Sequence, residues 1–132
     1  MKIRELAKSD YNQVIELWTK SLSNKFDNEI NTEHISDPSS ITLVSVDNNT
    51  ITGVASLYII KKLTRTLGLI EDVAVNENYR GKGIGKKLVE KLIGLAADKK
   101  CDKTVLNSSE QNSEFYKKIG FEINEIQMII RN

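Results

Sequence analysis

Val73-Ala74-Val75-Asn76-Glu77-Asn78-Tyr79-Arg80-Gly81-Lys82-Gly83-Ile84-Gly85-Lys86-Lys87 joins an apolar, strand-like run to a glycine-rich loop and then to an amphipathic helical pattern. Alternate glycines let a backbone adopt positive φ and come close to a ligand. Exposed N–H groups at the start of the following helix make an anion site suited to phosphate. Arg80, Lys82 and Lys86 add positive charge around it. Downstream, Leu88, Val89, Leu92, Ile93, Leu95 and Ala96 describe one helical face.

Upstream, Ile41–Val46 and Ile51–Ile60 read as two strands. Asp47-Asn48-Asn49-Thr50 between them is a turn, because Asn and Asp tolerate positive φ, so the pair is a hairpin. Lys61, Lys62 and Arg65 form a basic connection to an apolar strand, Leu69–Val75, that Glu71 and Asp72 interrupt. Lys2–Glu5 is a short strand; Ser9-Asp10 starts a helix, with Asp10 able to cap its free N–H groups. The polar stretch Ser23–Ser40 reads as a loop or an irregular second helix. Towards the end come a short strand Thr104–Leu106, a helix Ser113–Ile119 closed by Gly120, and a last strand Glu122–Ile130. The expected class is α/β with a mixed (α+β) sheet and helices on both faces, in one domain spanning residues 1–132.

Composition narrows the function classes. The 132 residues carry 19 Lys+Arg against 18 Asp+Glu, a net charge of +1. That balance argues against a dedicated nucleic-acid or anionic-membrane binder. No run approaches the ~18 apolar residues of a membrane span. Met1-Lys2-Ile3-Arg4-Glu5-Leu6 lacks a signal peptide's apolar stretch, and a lone cysteine, Cys101, builds no intrachain disulfide framework. A cytoplasmic setting is therefore expected. One His and one Cys build no metal cluster at the usual spacings, so no metal is expected. His34 reads as a surface residue and Cys101 as a small packing residue.

Three phosphate-loop patterns compete for the glycine segment. A Walker loop needs four residues before Gly-Lys and then Ser or Thr; here three separate Gly81 from Gly85, and Lys87 follows Lys86. The dinucleotide fingerprint needs Gly-x-Gly-x-x-Gly near the start of a βαβ unit, whereas this loop is Gly-x-Gly-x-Gly and late in the chain. Arg/Gln-x-x-Gly-x-Gly/Ala fits Arg80, Gly83 and Gly85 without adjustment. That pattern resembles the pyrophosphate-binding signature of the GNAT acetyltransferase superfamily. The plainer reading, an ordinary turn before a helix, fits the glycines taken alone.

The resemblance extends through Ile70–Val75, Cys101–Asn107, Glu110-Gln111-Asn112, Phe115–Phe121 and Glu125–Met128, in the order found in eukaryotic glucosamine-6-phosphate N-acetyltransferases. It covers roughly residues 54 to 131 and is loose before residue 50. It implies the GNAT acyl-CoA N-acyltransferase fold, with splayed central parallel strands. It also implies transfer of acetyl from acetyl-CoA to glucosamine 6-phosphate, towards UDP-N-acetylglucosamine. By the same resemblance Arg80, Gly81, Lys82, Gly83, Ile84, Gly85 and Lys86 cradle the pyrophosphate of the donor, and Val73, Ala74 and Val75 hold its pantetheine arm. Asn112, Tyr116 and Lys118 lie beside the donor, with Tyr116 as the acid for the leaving thiolate. Packing of Phe115 and Tyr116 on the core is the alternative for that helix.

Glu71, Asp72 and Asn107 are assigned to the sugar, with Glu71 the proton acceptor. Asn107 stands where the family usually has aspartate; an amide accepts a hydrogen bond but is no base. Lys61, Lys62 and Arg131 are assigned to the sugar phosphate, Arg131 reaching across a homodimer interface; taken singly, each reads equally as a surface charge. Ser21 or Ser23 are further phosphate candidates. Two rivals stay open: the same fold acting on another small amine or a protein N-terminus, and a non-catalytic acyl-CoA-binding module.

Overall fold

The structure, a computed structural model, describes residues 1–22 and 30–132. Ser23, named above as a phosphate candidate, and the first part of the Ser23–Ser40 stretch lie outside these residues. Five strands form one sheet in the order β1 (Lys2–Glu5), β2 (Ser40–Asp47), β3 (Thr50–Lys61), β4 (Thr66–Val75) and β5 (Lys103–Leu106). The first four run antiparallel to their neighbours; β5 runs parallel to β4. Asn48 and Asn49 turn the β2–β3 hairpin with φ of 47° and 66°, the left-handed conformation that their side chains tolerate.

Helices cover both faces. On one face α1 (Tyr11–Ser21) sets Val14 and Leu17 against Val44, Ile51, Val54 and Ala74. On the other, α2 (Ile84–Asp98) sets Ile84, Leu88, Val89, Leu92 and Ala96 against Leu43, Ala55, Leu57, Ile59 and Ile70. Strand alternation explains the sorting: Val44 and Val54 point one way, Leu43, Ala55 and Leu57 the other. The helical face read from Leu88 to Ala96 is the buried one. A third helix, α3 (Glu110–Ile119), is capped by the Ser109 hydroxyl and closed by Gly120 at φ 124°.

Two expectations change. Asp10 does sit at the start of α1, but its side chain makes no cap bond. Its carboxylate instead accepts from both terminal nitrogens of the Arg4 guanidinium, at 2.7 and 2.9 Å, and from the Ala7 N–H at 2.8 Å. A bidentate fork is the stronger partner, and it ties β1 to the helix. The last strand, Glu122–Ile130, does not form: residues 122–132 pair with no strand among the described residues. Ile126, Met128 and Ile130 are each about nine-tenths exposed, at 88%, 90% and 90%. β-propensity alone does not make a strand, because its N–H and C=O groups need a neighbouring ladder.

Arg4 holds the Asp10 carboxyl below its usual range, so this pair stabilises the fold above the ordinary carboxylate pKa and is lost as pH falls. Arg4→Met is expected to lower stability by about 1–2 kcal/mol at neutral pH, with Arg4's partial exposure moderating the loss. Urea unfolding should show the difference between the two proteins shrinking as pH falls through the lowered Asp10 value.

Candidate acyl-transfer site

The site starts where the sheet opens. β4 and β5 pair only from Leu67–Lys103 to Ile70–Leu106. β5 then ends, while β4 continues through Glu71, Asp72, Val73, Ala74 and Val75. Among the described residues, no strand lies beside those five on the β5 side, which leaves roughly 17 Å of strand edge. The β3–β4 register shifts between Val54 and Ser56, and Asp72 carries the bulge at φ 57°. A non-glycine residue there is strained and bends the strand. The Trp18 indole of α1 pins it, donating its Nε1–H to the Asp72 carbonyl at 3.0 Å.

At the end of β4 the chain reaches the glycine loop. Asn76 caps a single turn, Glu77–Tyr79, through its side chain. Gly81 and Gly83 have φ of 81° and 78° and open space where a Cβ would stand. Gly83 is also the residue that starts α2. Gly85 has a different reason: a Cβ there would meet Phe115 and Val75 at 3.3 Å. The first N–H groups of α2 therefore face outward beside the exposed Arg80, Lys82 and Lys86. Lys82 also sits 5.2 Å from the Tyr79 ring centre. An open strand edge running to a helix N-terminus with cations fits an extended thiol carrier ending in a diphosphate, so the residues present suit acetyl-CoA.

Tyr116 comes from α3 and packs against the α2 side of the sheet. Its ring meets Phe115 edge-on at 5.0 Å and Phe121 at 6.0 Å. Burial pushes its hydroxyl's pKa up, so it is a protonated donor at neutral pH. Asn107 follows β5 and is exposed; Asn112 and Lys118 are exposed on α3.

The acid pair lies on the other face. Glu71 stands opposite Ser56, hence on the α1 side. Burial, then the Asp72 charge, raises the Glu71 carboxyl; burial also raises Asp72, with His34 working against it. Two further residues, missed from the sequence, stand here. Tyr58 is half-buried, and His34 meets its ring edge-on at 5.8 Å and bonds the Thr42 hydroxyl. His34 is thus no plain surface residue. Thr42 and Ser56 were legible only as polar breaks in apolar strands.

Other assigned residues stand apart. Lys61 and Lys62, with Arg65 and Lys100, line an open cleft of about 430 Å³ at the β3–β4 turn. Lys61 is five residues along β3 from Ser56, roughly 17 Å from the acid pair. Arg131 is exposed on the unpaired tail, and Ser21 ends α1. Cys101 is a free thiol packed against the α2-side core. Among the described residues no helix is long and apolar enough to cross a membrane, and no group of three or more His, Cys, Asp or Glu side chains is placed to hold a metal ion.

A carboxyl raised by burial opposes folding once it ionises. Stability from such a group is full at low pH and falls as pH rises through the raised value. Glu71→Gln is therefore expected to melt roughly 3 °C above the unaltered protein near pH 7.5. In thermal melts the difference should vanish towards pH 4.

Comparison with known proteins agrees with this geometry. A protein called glucosamine 6-phosphate N-acetyltransferase from Trypanosoma brucei brucei is 47% identical over 81 residues, 59% of this chain and 55% of that protein. Glucosamine 6-phosphate N-acetyltransferase 1 of Dictyostelium discoideum is 41% identical over 93 residues, 68% of this chain and 59% of that one. The chain thus spans just over half the length of these curated relatives. The crystal structure of glucosamine-6-phosphate N-acetyltransferase from Arabidopsis thaliana superposes with a TM-score of 0.84 at 30% identity, over 98% of this chain and 97% of that one. Residues 2–121 match the Acetyltransferase (GNAT) family as a whole, and with the splayed strands and glycine turn in place, the chain belongs to that family.

Proposed function

We propose that the protein transfers the acetyl group of acetyl-CoA directly to the amine of glucosamine 6-phosphate, giving N-acetylglucosamine 6-phosphate on the way to UDP-N-acetylglucosamine. The observation that carries this reading is the acid pair, Glu71 and Asp72, set at the bulge where the strand edge opens. The names of the relatives from Trypanosoma, Dictyostelium and Arabidopsis point to the same acceptor.

The loop Arg80–Lys86 and α2 hold the diphosphate, and the β4 edge from Val73 to Val75 pairs with the pantetheine arm. The Val73 N–H, next to the bulge, faces the thioester oxygen as negative charge develops there. Glu71 accepts a proton from the sugar amine, which Asp72 and the Asn107 amide orient. An amide in place of a carboxylate is tolerable, because holding the amine in line is itself worth several kcal/mol. Tyr116 donates to the departing thiolate.

The acceptor's phosphate needs cations, and among the described residues Lys61 and Lys62 stand roughly 17 Å along the sheet from the acid pair. We therefore propose a homodimer in which Arg131 of one copy serves the other and Lys61 and Lys62 complete the phosphate contact. The exposed, apolar and unpaired tail, residues 122–132, supports such a union. We assign no nucleic-acid or membrane partner, no metal, and a cytoplasmic setting that suits the free Cys101.

Thiol release from acetyl-CoA with a panel of amines tests the reading. Glucosamine 6-phosphate should outpace glucosamine and spermidine; equal rates would remove the sugar phosphate from the assignment. Tyr116→Phe should lower kcat about a hundredfold with KM for acetyl-CoA nearly unchanged, since the hydroxyl acts mainly as charge reaches sulfur. An undiminished kcat would take Tyr116 out of the chemistry.

A further inference from the structure

Among the described residues, α1 packs on the Val54–Ala74 end of its face of the sheet and reaches the bulge with Trp18. Past that point the same face carries Ser56 and Tyr58 on β3 and Leu69 and Glu71 on β4, by strand alternation. Ser56 stands opposite Glu71, and Tyr58 stands opposite Leu69. Tyr58 and Glu71 are therefore diagonal neighbours on adjacent strands. That spacing is about 7–8 Å, within reach of an aromatic side chain. Tyr58 is half-buried, so part of its surface is open beside the carboxyl.

The Tyr58 ring is braced. His34 meets it edge-on, with ring centres 5.8 Å apart and planes at 63°. His34 is itself held at two points. Its Nε2 bonds the Thr42 hydroxyl, and its carbonyl accepts from the Ser40 hydroxyl at 3.0 Å. The Thr42 hydroxyl in turn bonds that of Ser56 at 2.7 Å, and the two residues are only 4% and 0% exposed. Buried hydroxyls are unfavourable unless bonded, and this pair satisfies itself. The added bond to the imidazole fixes residues 32–34 against β2 and the His34 ring against Tyr58. An aromatic group fixed in advance loses little freedom when a ligand packs on it.

We infer that Tyr58, braced by His34, is the aromatic wall of the acceptor subsite and selects an amine carried on a saturated ring; this rests on the acetyl-transfer reading. One face of a pyranose presents C–H groups, which are apolar and slightly positive, and an aromatic ring presents a negative π face. Pockets for small molecules join such an apolar wall to a few placed polar groups. Here the wall is Tyr58 and the polar group is Glu71, one diagonal step away. A sugar ring laid on Tyr58 brings an amine on its edge to that carboxyl. An open-chain amine offers no flat apolar face and loses more torsional freedom on binding. His34 is a positioning residue: it acts through Tyr58 and does not touch the acceptor.

Thiol release from acetyl-CoA tests the wall with two acceptors: glucosamine 6-phosphate, and 2-amino-2-deoxyglucitol 6-phosphate, the same sugar opened by reduction. The second keeps the amine, hydroxyls and phosphate but has no ring; if it is not turned over, its inhibition constant against the first is read instead. Tyr58→Ala should raise KM for the ring acceptor about tenfold with kcat nearly unchanged. The open form should change by less than about twofold, and KM for acetyl-CoA should stay the same. Tyr58→Phe keeps the ring and should stay close to the unaltered protein. Tyr58→Leu fills the space without an aromatic face and should behave as Tyr58→Ala, which keeps the test open if the alanine variant does not fold. His34→Ala and Thr42→Val should each raise KM for the ring acceptor by about threefold, and the double variant by no more than either alone, since both release the same brace. Equal losses on the ring and open acceptors, or no loss in Tyr58→Ala and Tyr58→Leu, would overturn the wall and leave the acetyl-transfer reading intact. An unaltered protein that releases no thiol with any amine would overturn both.

Discussion

The parallel pairing of β4 with β5 stops after four residue pairs, and the site depends on that stop. Had the ladder continued, the β4 edge from Glu71 to Val75 would be satisfied by β5 and closed to any ligand. The bulge at Asp72 bends β4 at the point where pairing ends, and Trp18 holds the strained residue from the α1 side. A row of backbone groups is thereby left open inside an otherwise paired sheet. Such groups are unfavourable to leave unmet, so the opening favours a ligand that presents amides of its own. A pantetheine arm has that chemistry.

The same sheet separates two kinds of work by face. On the α2 side the surroundings are apolar: Gly85 fits against Phe115, which places α3 and its Tyr116 beside the opening. Burial there raises the pKa of the Tyr116 phenol. On the α1 side the surroundings are polar, with two raised carboxyls next to Tyr58 and the buried Thr42–Ser56 pair. Tyr116 and Glu71 therefore stand on opposite sides of the sheet. The raised carboxyls oppose folding at neutral pH, and the tertiary packing of two helices offsets that.

Much of the fold could be read from the chain. The β2–β3 hairpin announced itself through Asn48 and Asn49, and the buried face of α2 through its apolar spacing, because both signals are local. Gly81 and Gly83 were legible for the same reason: positive φ is a property of one residue. What escaped was set by tertiary context. Asp10 reads as a cap until Arg4, a neighbour only in space, claims its carboxylate. His34 reads as a surface residue because its partners, Thr42 and Tyr58, lie on strands folded beside it. The tail from Glu122 has the composition of a strand, yet no edge among the described residues takes it. Glu71 and Asp72 were visible as polar breaks in an apolar run, but the bulge between them and Val73 was not, since it appears only in the pairing with β3.

Calorimetric titration of the folded protein with coenzyme A, repeated on Gly83→Val, addresses the central claim most directly. The account predicts saturable one-to-one binding per chain that the variant loses or weakens by at least about tenfold, because valine at φ 78° distorts the turn that starts α2. Absence of any heat from binding to the unaltered protein, or equal affinity in the variant, would contradict it.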